Sequence, residues 1–210
     1  LPEVVPIAVR LGGDFDLLEQ RTRCPADDNR QAMRAFYDAY LTIRELRVPS
    51  IAAIHGYALG AGLCFALACD LRIAAEGAKL GLTFVRVGLH PGMGATFLLP
   101  RIVGAAKAAE LLLTGRVVEA SEALRIGLVS EVVPAAELAA AAQKLAAEVA
   151  LGAPVAVAQV KRSLRDHACR SLDEALDREA GCQAIDFGTE DMREAIIAFG
   201  DKRAPLFRGR

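Results

Sequence analysis

Gly60-Ala61-Gly62 stands where an apolar strand signal, residues 51–54, gives way to a helical one, residues 62–68. Glycines let the chain turn tightly and let a ligand approach the backbone. The first N–H groups of a helix lack intrahelical acceptors and sit at the positive end of its dipole. The pattern therefore suits an anion, or the oxyanion of a polarised carbonyl. A glycine turn in this place also serves simple turning and packing, so both readings stand at this point. His90 precedes a second glycine-rich loop, Gly88-Leu89-His90-Pro91-Gly92-Met93-Gly94. Histidine titrates near neutral pH and could act as general base or acid; a loop histidine equally bonds backbone or faces solvent. Cys64, near the helix start, is a nucleophile if its pKa is lowered there, or a small buried apolar residue. His55, at a strand end, reads as structural.

These residues need elements to hold them. A strand is expected over residues 4–9, a turn over 11–14 and a short helix over 15–20. Residues 21–30 read as a loop, and apolar residues at helical spacing (Met33, Phe36, Tyr37, Tyr40, Leu41, Ile43) predict a helix over 31–47. Pro49 stops it. Strands follow over 51–54 and 71–74, an extended piece over 79–82, helices over 95–102 and 105–114, and Gly115 as a helix stop. A short helix over 121–126 and a strand over 128–133 end the α/β part. Beyond Pro134 only helices are expected: 135–151, 154–166, 171–187 and 190–199. Repeated strand, turn and helix predict an α/β core over residues 1–133, and the rest a helical region over 134–210. The alanine-rich helix after Pro134 has few large apolar residues and calls for a packing partner.

The 210 residues allow one substantial core, and 53% hydrophobic with 24% charged residues is a globular composition. With 25 basic and 26 acidic residues, nothing points to nucleic acid or an anionic membrane surface. The absence of tryptophan argues against base-stacking platforms. Five cysteines, Cys24, Cys64, Cys69, Cys169 and Cys182, show no CxxC or metal spacing, so free thiols in a reduced, cytoplasmic setting are expected and no metal. No apolar run has membrane-span length, and the first residues carry no secretory signature.

Taken together, PSIAAIHGYALGAGLCFALACDLRIAAEGAKLGL, GLHPGMGATFLLPRIVG, AAELLLTGRVVEASEALRIGLVSEVV and AFGDKRAPLFRGR closely resemble the enoyl-CoA hydratase/isomerase (crotonase) superfamily, from about Pro49 to the C-terminus. The resemblance implies a core of stacked ββα turns, a C-terminal helical trimerisation region, and trimers or dimers of trimers. The ligand it implies is an acyl-CoA thioester, with coenzyme A part of the substrate and no separate cofactor. Two backbone N–H groups of that family hold the thioester oxygen. They map to Ala61, between Gly60 and Gly62, and to Leu11, before Gly12-Gly13-Asp14. Leu11 is bulkier than the usual small residue there. Family members begin with a longer region, so residues are expected to be missing at the start and pieces to be joined around residues 10–12.

The resemblance also brings departures. The two glutamates of the family's hydratases fall on Cys64 and Phe84, and neither can act as a carboxylate acid/base. A loop aspartate used by some isomerases falls on Gly92. Asp70, Glu76 and Glu110 read as solvated or structural. His90 is left as the candidate acid/base, with Tyr57, Thr83, Phe84, Gly88 and Leu89 as candidate lining of the acyl site. Lys202, Arg203 and Arg208 resemble basic residues near the coenzyme A phosphates, and ordinary surface charge is the competing account. Two functions follow: an enzyme working on an acyl-CoA through an enolate, or a non-catalytic acyl-CoA-binding homologue.

Overall fold

A computed structural model describes residues 15–166 and 171–210. The strand expected over 4–9, the turn with Leu11, Gly12, Gly13 and Asp14, and Cys169 lie outside the described residues. The chain divides into two compact units, one holding the described residues up to Leu46 and Ser50–Ala142, the other Arg47–Pro49 and Gln143–Arg210.

In the first unit α1 (Phe15–Thr22) is followed by α2 (Ala26–Leu41) and a 3-10 turn, Thr42–Glu45. The loop expected over 21–30 is thus mostly helix. Pro25 caps α2 with extended backbone, and Asp27 and Asp28 occupy its first turn. Acidic residues there complement the helix dipole, so the residues read as turn formers are helix starters. The helix also ends earlier than expected, at Leu41.

The strands are β1 (Ile51–Ile54), β2 (Tyr57–Leu59), β3 (Leu71–Ala75), β4 (Lys79–Gly81), β5 (Val117–Glu119) and β6 (Glu131–Val133). Between them lie α3 (Ala61–Ala68), α4 (Ala95–Val103), α5 (Ala105–Thr114) and α6 (Ala120–Arg125). They form two three-stranded sheets, one ordered β1-β3-β6 and one β2-β4-β5. The first is parallel, pairing Ile51 with Leu71 and Ile73 with Glu131; in the second β2 and β4 run parallel, Leu59 beside Gly81. The passes β1-β2-α3 and β3-β4-α4 each lay one strand in each sheet, as in a stacked ββα spiral, and the last two strands, β5 and β6, join one sheet each with α6 between them. β2 and β5 were not expected from sequence, because three residues are too few for periodicity to register. The last strand is shorter than expected, since Leu128 and Val129 are buried in a bend before it.

The core is aliphatic. Ile54, Leu67, Ile73, Leu80, Leu82, Leu99 and Leu128 are fully buried, with alanines filling the space between sheets and helices. Asp70 Oδ2 accepts hydrogen bonds from Ser50 N and Ser50 Oγ, both at 2.7 Å, which ties the start of β3 to the chain entering β1. Arg72, largely buried, donates to Leu128 O and Cys69 O.

α7 (Leu138–Ala150) spans the boundary between the units and buries Leu138, Ala142 and Ala146, one face at helical spacing. The second unit continues with α8 (Pro154–Asp166), α9 (Leu172–Asp186) and α10 (Glu190–Gly200). Ser171 and Glu174 form a capping box on α9. Buried Asp191 accepts hydrogen bonds from Arg208 N and Gly209 N, and Arg210 O accepts from Glu190 N and Asp191 N, so the C-terminal residues close over the start of α10. Among the described residues no strand follows Val133, and no single helix is long and apolar enough to cross a membrane.

Candidate active site

Gly60 caps α3 with φ 54° and ψ −119°, a conformation that glycine adopts freely and other residues rarely do. Its N–H donates to Gly81 O at 2.8 Å and its carbonyl accepts from Cys64 N at 3.0 Å. The first bond fastens the turn to the end of β4; the second starts the helix. Ala61 is the first residue of α3, so its N–H belongs to the set with no intrahelical acceptor. The helix signal, expected from residue 62, thus begins at the residue whose amide the sequence singled out.

β4 leads into a 3-10 turn, Thr83–Val87, closed by Gly88 in the left-handed region (φ 75°). Leu89 N returns to Phe84 O at 3.0 Å. The Phe84 ring lies over the glycine turn: its Cζ would be 3.8 Å from a Cβ placed on Gly60. Gly60, Ala61, Gly62 and Phe84 are therefore brought together. Thr83 begins the 3-10 turn, half-buried, whereas Gly88 and Leu89 at its far end are exposed. Tyr57 is 60% exposed on β2, and His55 is also exposed.

The second glycine loop meets α3 through Cys64, whose Sγ donates to Gly92 O at 3.6 Å. Gly92 O also accepts from Ala95 N, and Met93 and Gly94 both take positive φ (52° and 74°) before α4 begins. Such backbone in a non-glycine residue is uncommon, and Met93 keeps it because its side chain is locked in the core. Cys64 is fully buried, and burial pushes its thiol up to about 12. A helix start favours a thiolate, but desolvation outweighs it here, so of the two readings of Cys64 the burial supports the small buried packing residue over the nucleophile.

His90 is exposed, with Nδ1 2.8 Å from Pro91 O. A carbonyl only accepts, so Nδ1 is the nitrogen that donates in this contact, and Nε2 is left out of it. Asp70, on Ser50, and Glu110, bonded to Arg116 and Lys107, are structural. In the second unit Arg203 is committed to Glu194 through Nη1 and Nη2, at 2.6 and 3.0 Å. The four described cysteines are free; Cys64 and Cys69 are buried, Cys182 is half-buried and Cys24 is exposed. Among the described residues no three His, Cys, Asp or Glu side chains gather as a metal-ligand set.

Sequence reading missed one polar group at this place. Tyr37, counted there only as part of an apolar helix face, puts its phenol directly over the Gly92 backbone: a Cβ on Gly92 would fall 2.9 Å from Tyr37 Cζ and 3.2 Å from Cε1. One turn further along α2, Tyr40 packs edge-on against Phe65 of α3, ring centroids 5.6 Å apart. That contact fixes how α2 lies on α3. The absence of a side chain at Gly92 was the available signal, but which residue fills the gap is a matter of packing.

A family model described as enoyl-CoA hydratase/isomerase matches residues 10–210. (E)-Benzylidenesuccinyl-CoA hydratase of Thauera aromatica is 46% identical over 165 residues, covering 77% of this chain and 63% of that protein. Crotonyl-CoA hydratase of Syntrophomonas wolfei is 40% identical over 165 residues, covering 79% of this chain and 64% of that protein. The chain thus spans a little under two thirds of these relatives. The crystal structure of an enoyl-CoA hydratase from Bacillus anthracis superposes with a TM-score of 0.86 at 37% identity, covering 92% of this chain and 75% of that one.

Proposed function

Since the chain belongs to the enoyl-CoA hydratase/isomerase family, we propose that it acts on an acyl-CoA thioester, as a lyase of the hydratase type or as an enoyl-CoA isomerase, with the Ala61 N–H stabilising an enolate oxygen. The observation that carries this reading is the Gly60 cap, which leaves the Ala61 amide without an intrahelical acceptor at the positive end of α3. As water adds to the β-carbon of an enoyl thioester, negative charge collects on the thioester oxygen; the enolate then takes a proton at its α-carbon. In isomerisation the same oxygen carries the charge while a proton leaves the α-carbon and returns to the γ-carbon. A fixed N–H dipole stabilises either enolate without reorganising, and one such donor is worth about 3 kcal/mol.

Leu11, with Gly12, Gly13 and Asp14, supplies the second donor in this proposal. His90, through Nε2, takes the place of the carboxylates absent at Cys64 and Phe84. Tyr57, Thr83, Phe84, Gly88 and Leu89 line the acyl side, and coenzyme A enters as part of the substrate. The reading includes a homotrimer or dimer of trimers, supported by large exposed apolar residues on the C-terminal helices, among them Leu164, Leu172, Ile196 and Phe199. It includes a cytoplasmic location and neither nucleic-acid nor membrane partners, in line with the near-zero net charge. The non-catalytic alternative is not favoured, because the relatives above are named as hydratases.

The test is turnover of crotonyl-CoA and of a 3-enoyl-CoA, with binding followed by calorimetry. Turnover is expected. Binding without turnover of either would overturn the enzymatic reading, and no binding at all would overturn the acyl-CoA site.

A further inference from the structure

Positions 64 and 84, where a proton-moving group would stand against the acyl chain, carry a neutral thiol and a phenyl ring. Beside position 64 stands another polar group, the Tyr37 hydroxyl. It comes from α2, passes over the bare Cα of Gly92, and sits beside Cys64, whose sulfur is 3.6 Å from Gly92 O. Cys64 lies one helical turn, about 5.4 Å, beyond the Gly60 cap. A thioester whose oxygen rests on Ala61 N–H carries its β-carbon roughly 3–4 Å further on, so a substituent on that carbon reaches the next turn of the helix.

We propose that Tyr37 is a substrate-contacting residue whose hydroxyl donates a hydrogen bond to oxygen at the β-carbon of the acyl group, making the site selective for β-oxygenated acyl thioesters over plain alkyl ones. This rests on the acyl-CoA reading above. The hydroxyl of half-buried Tyr37 makes no hydrogen bond among the described residues, so it is available to a ligand that accepts one. Burial first, and the neighbouring Cys64 second, raise its pKa, so it remains an O–H donor and not a phenolate through the neutral range. Gly92 makes the arrangement possible, since any side chain there would meet the phenol. Tyr40 on Phe65 keeps α2 in the register that aims it.

The test compares 3-hydroxybutyryl-CoA with butyryl-CoA, by calorimetry, on the wild-type protein and on Tyr37→Phe, which keeps the ring and removes only the hydroxyl. The wild type is expected to prefer 3-hydroxybutyryl-CoA by about tenfold, and Tyr37→Phe to lose that preference while binding butyryl-CoA within about twofold of wild type. A Tyr37→Phe protein that keeps the preference overturns the proposal, as does equal weakening of both thioesters, the mark of a purely structural hydroxyl. A wild type without preference overturns it before any variant is made, so a misfolded variant leaves the question decidable. Should the wild type bind both thioesters but turn over neither crotonyl-CoA nor a 3-enoyl-CoA, the enzymatic reading fails while this comparison still decides the role of Tyr37. Binding of neither thioester overturns both.

Discussion

The Tyr37 phenol occupies the space over Gly92 that a side chain at position 92 would need, with Cζ 2.9 Å from a Cβ placed there. Backbone dihedrals do not force glycine at this position; the neighbour does. Gly92→Ala should therefore destabilise by about 1–3 kcal/mol through overpacking. Its urea midpoint should fall, while the double variant Gly92→Ala with Tyr37→Ala should lose less than the sum of the two single changes. Additive losses would mean the two residues are not in contact.

Ala61→Pro tests the oxyanion donor with little disturbance to the helix. Proline is favoured at the first helical position, where its missing N–H leaves no intrahelical bond unmade. The expected outcome is a folded protein, by circular dichroism, with kcat reduced about 100- to 1000-fold. Unchanged kcat in a folded variant would remove Ala61 from the mechanism.

The Cys64 thiol gives a pH dependence whose sign follows from burial. Its ordinary value of 9.0 is raised to about 12 in the folded protein, so between those values the unfolded chain releases a proton that the folded one keeps. The stabilising contribution is complete below pH 9.0 and is lost as pH rises towards 12, by about 1.4 kcal/mol per unit within the window. Cys64→Ala should flatten that alkaline limb in chemical denaturation at pH 9 to 11. Iodoacetamide at pH 8, read by peptide mass spectrometry, should label exposed Cys24 and leave Cys64 unmodified.

At the acid end Glu194 behaves in the opposite sense. Its hydrogen bonds from Arg203, then from Leu206 N, lower its carboxyl from 4.5 to about 2. Its stabilising effect is present above pH 4.5 and is lost as pH falls through about 2. Glu194→Gln should weaken this dependence and loosen residues 203–210, seen as faster amide exchange at Leu206. Protection equal to wild type would show that the tail is held without Glu194, by its contacts with Glu190 and Asp191.

Aspartate in a different place shows why some elements were legible in the sequence and others not. The strand over 51–54, the helix after the glycine turn and the stop at Gly115 are written in local chemistry, apolar runs bounded by residues with special dihedrals. Asp27 and Asp28 are local too, but the same residue type opens loops and helices, and only the docking of α2 on α3 through Tyr40 and Phe65 accompanies the helical choice. β2 and β5 exist because neighbouring strands offer them partners, which no three-residue window can reveal.

By itself the sequence determined the Gly60-Ala61-Gly62 turn and the presence of cysteine at position 64 and phenylalanine at position 84, because each is a statement about which residue stands where. Tertiary structure alone decided that Cys64 is a buried neutral thiol, that His90 is exposed with its Nδ1 proton spent on Pro91 O, and that a tyrosine 55 residues before Gly92 in number reaches the same wall. Burial and contact between distant segments depend on how the chain packs, and desolvation energies follow from that packing rather than from neighbours in sequence.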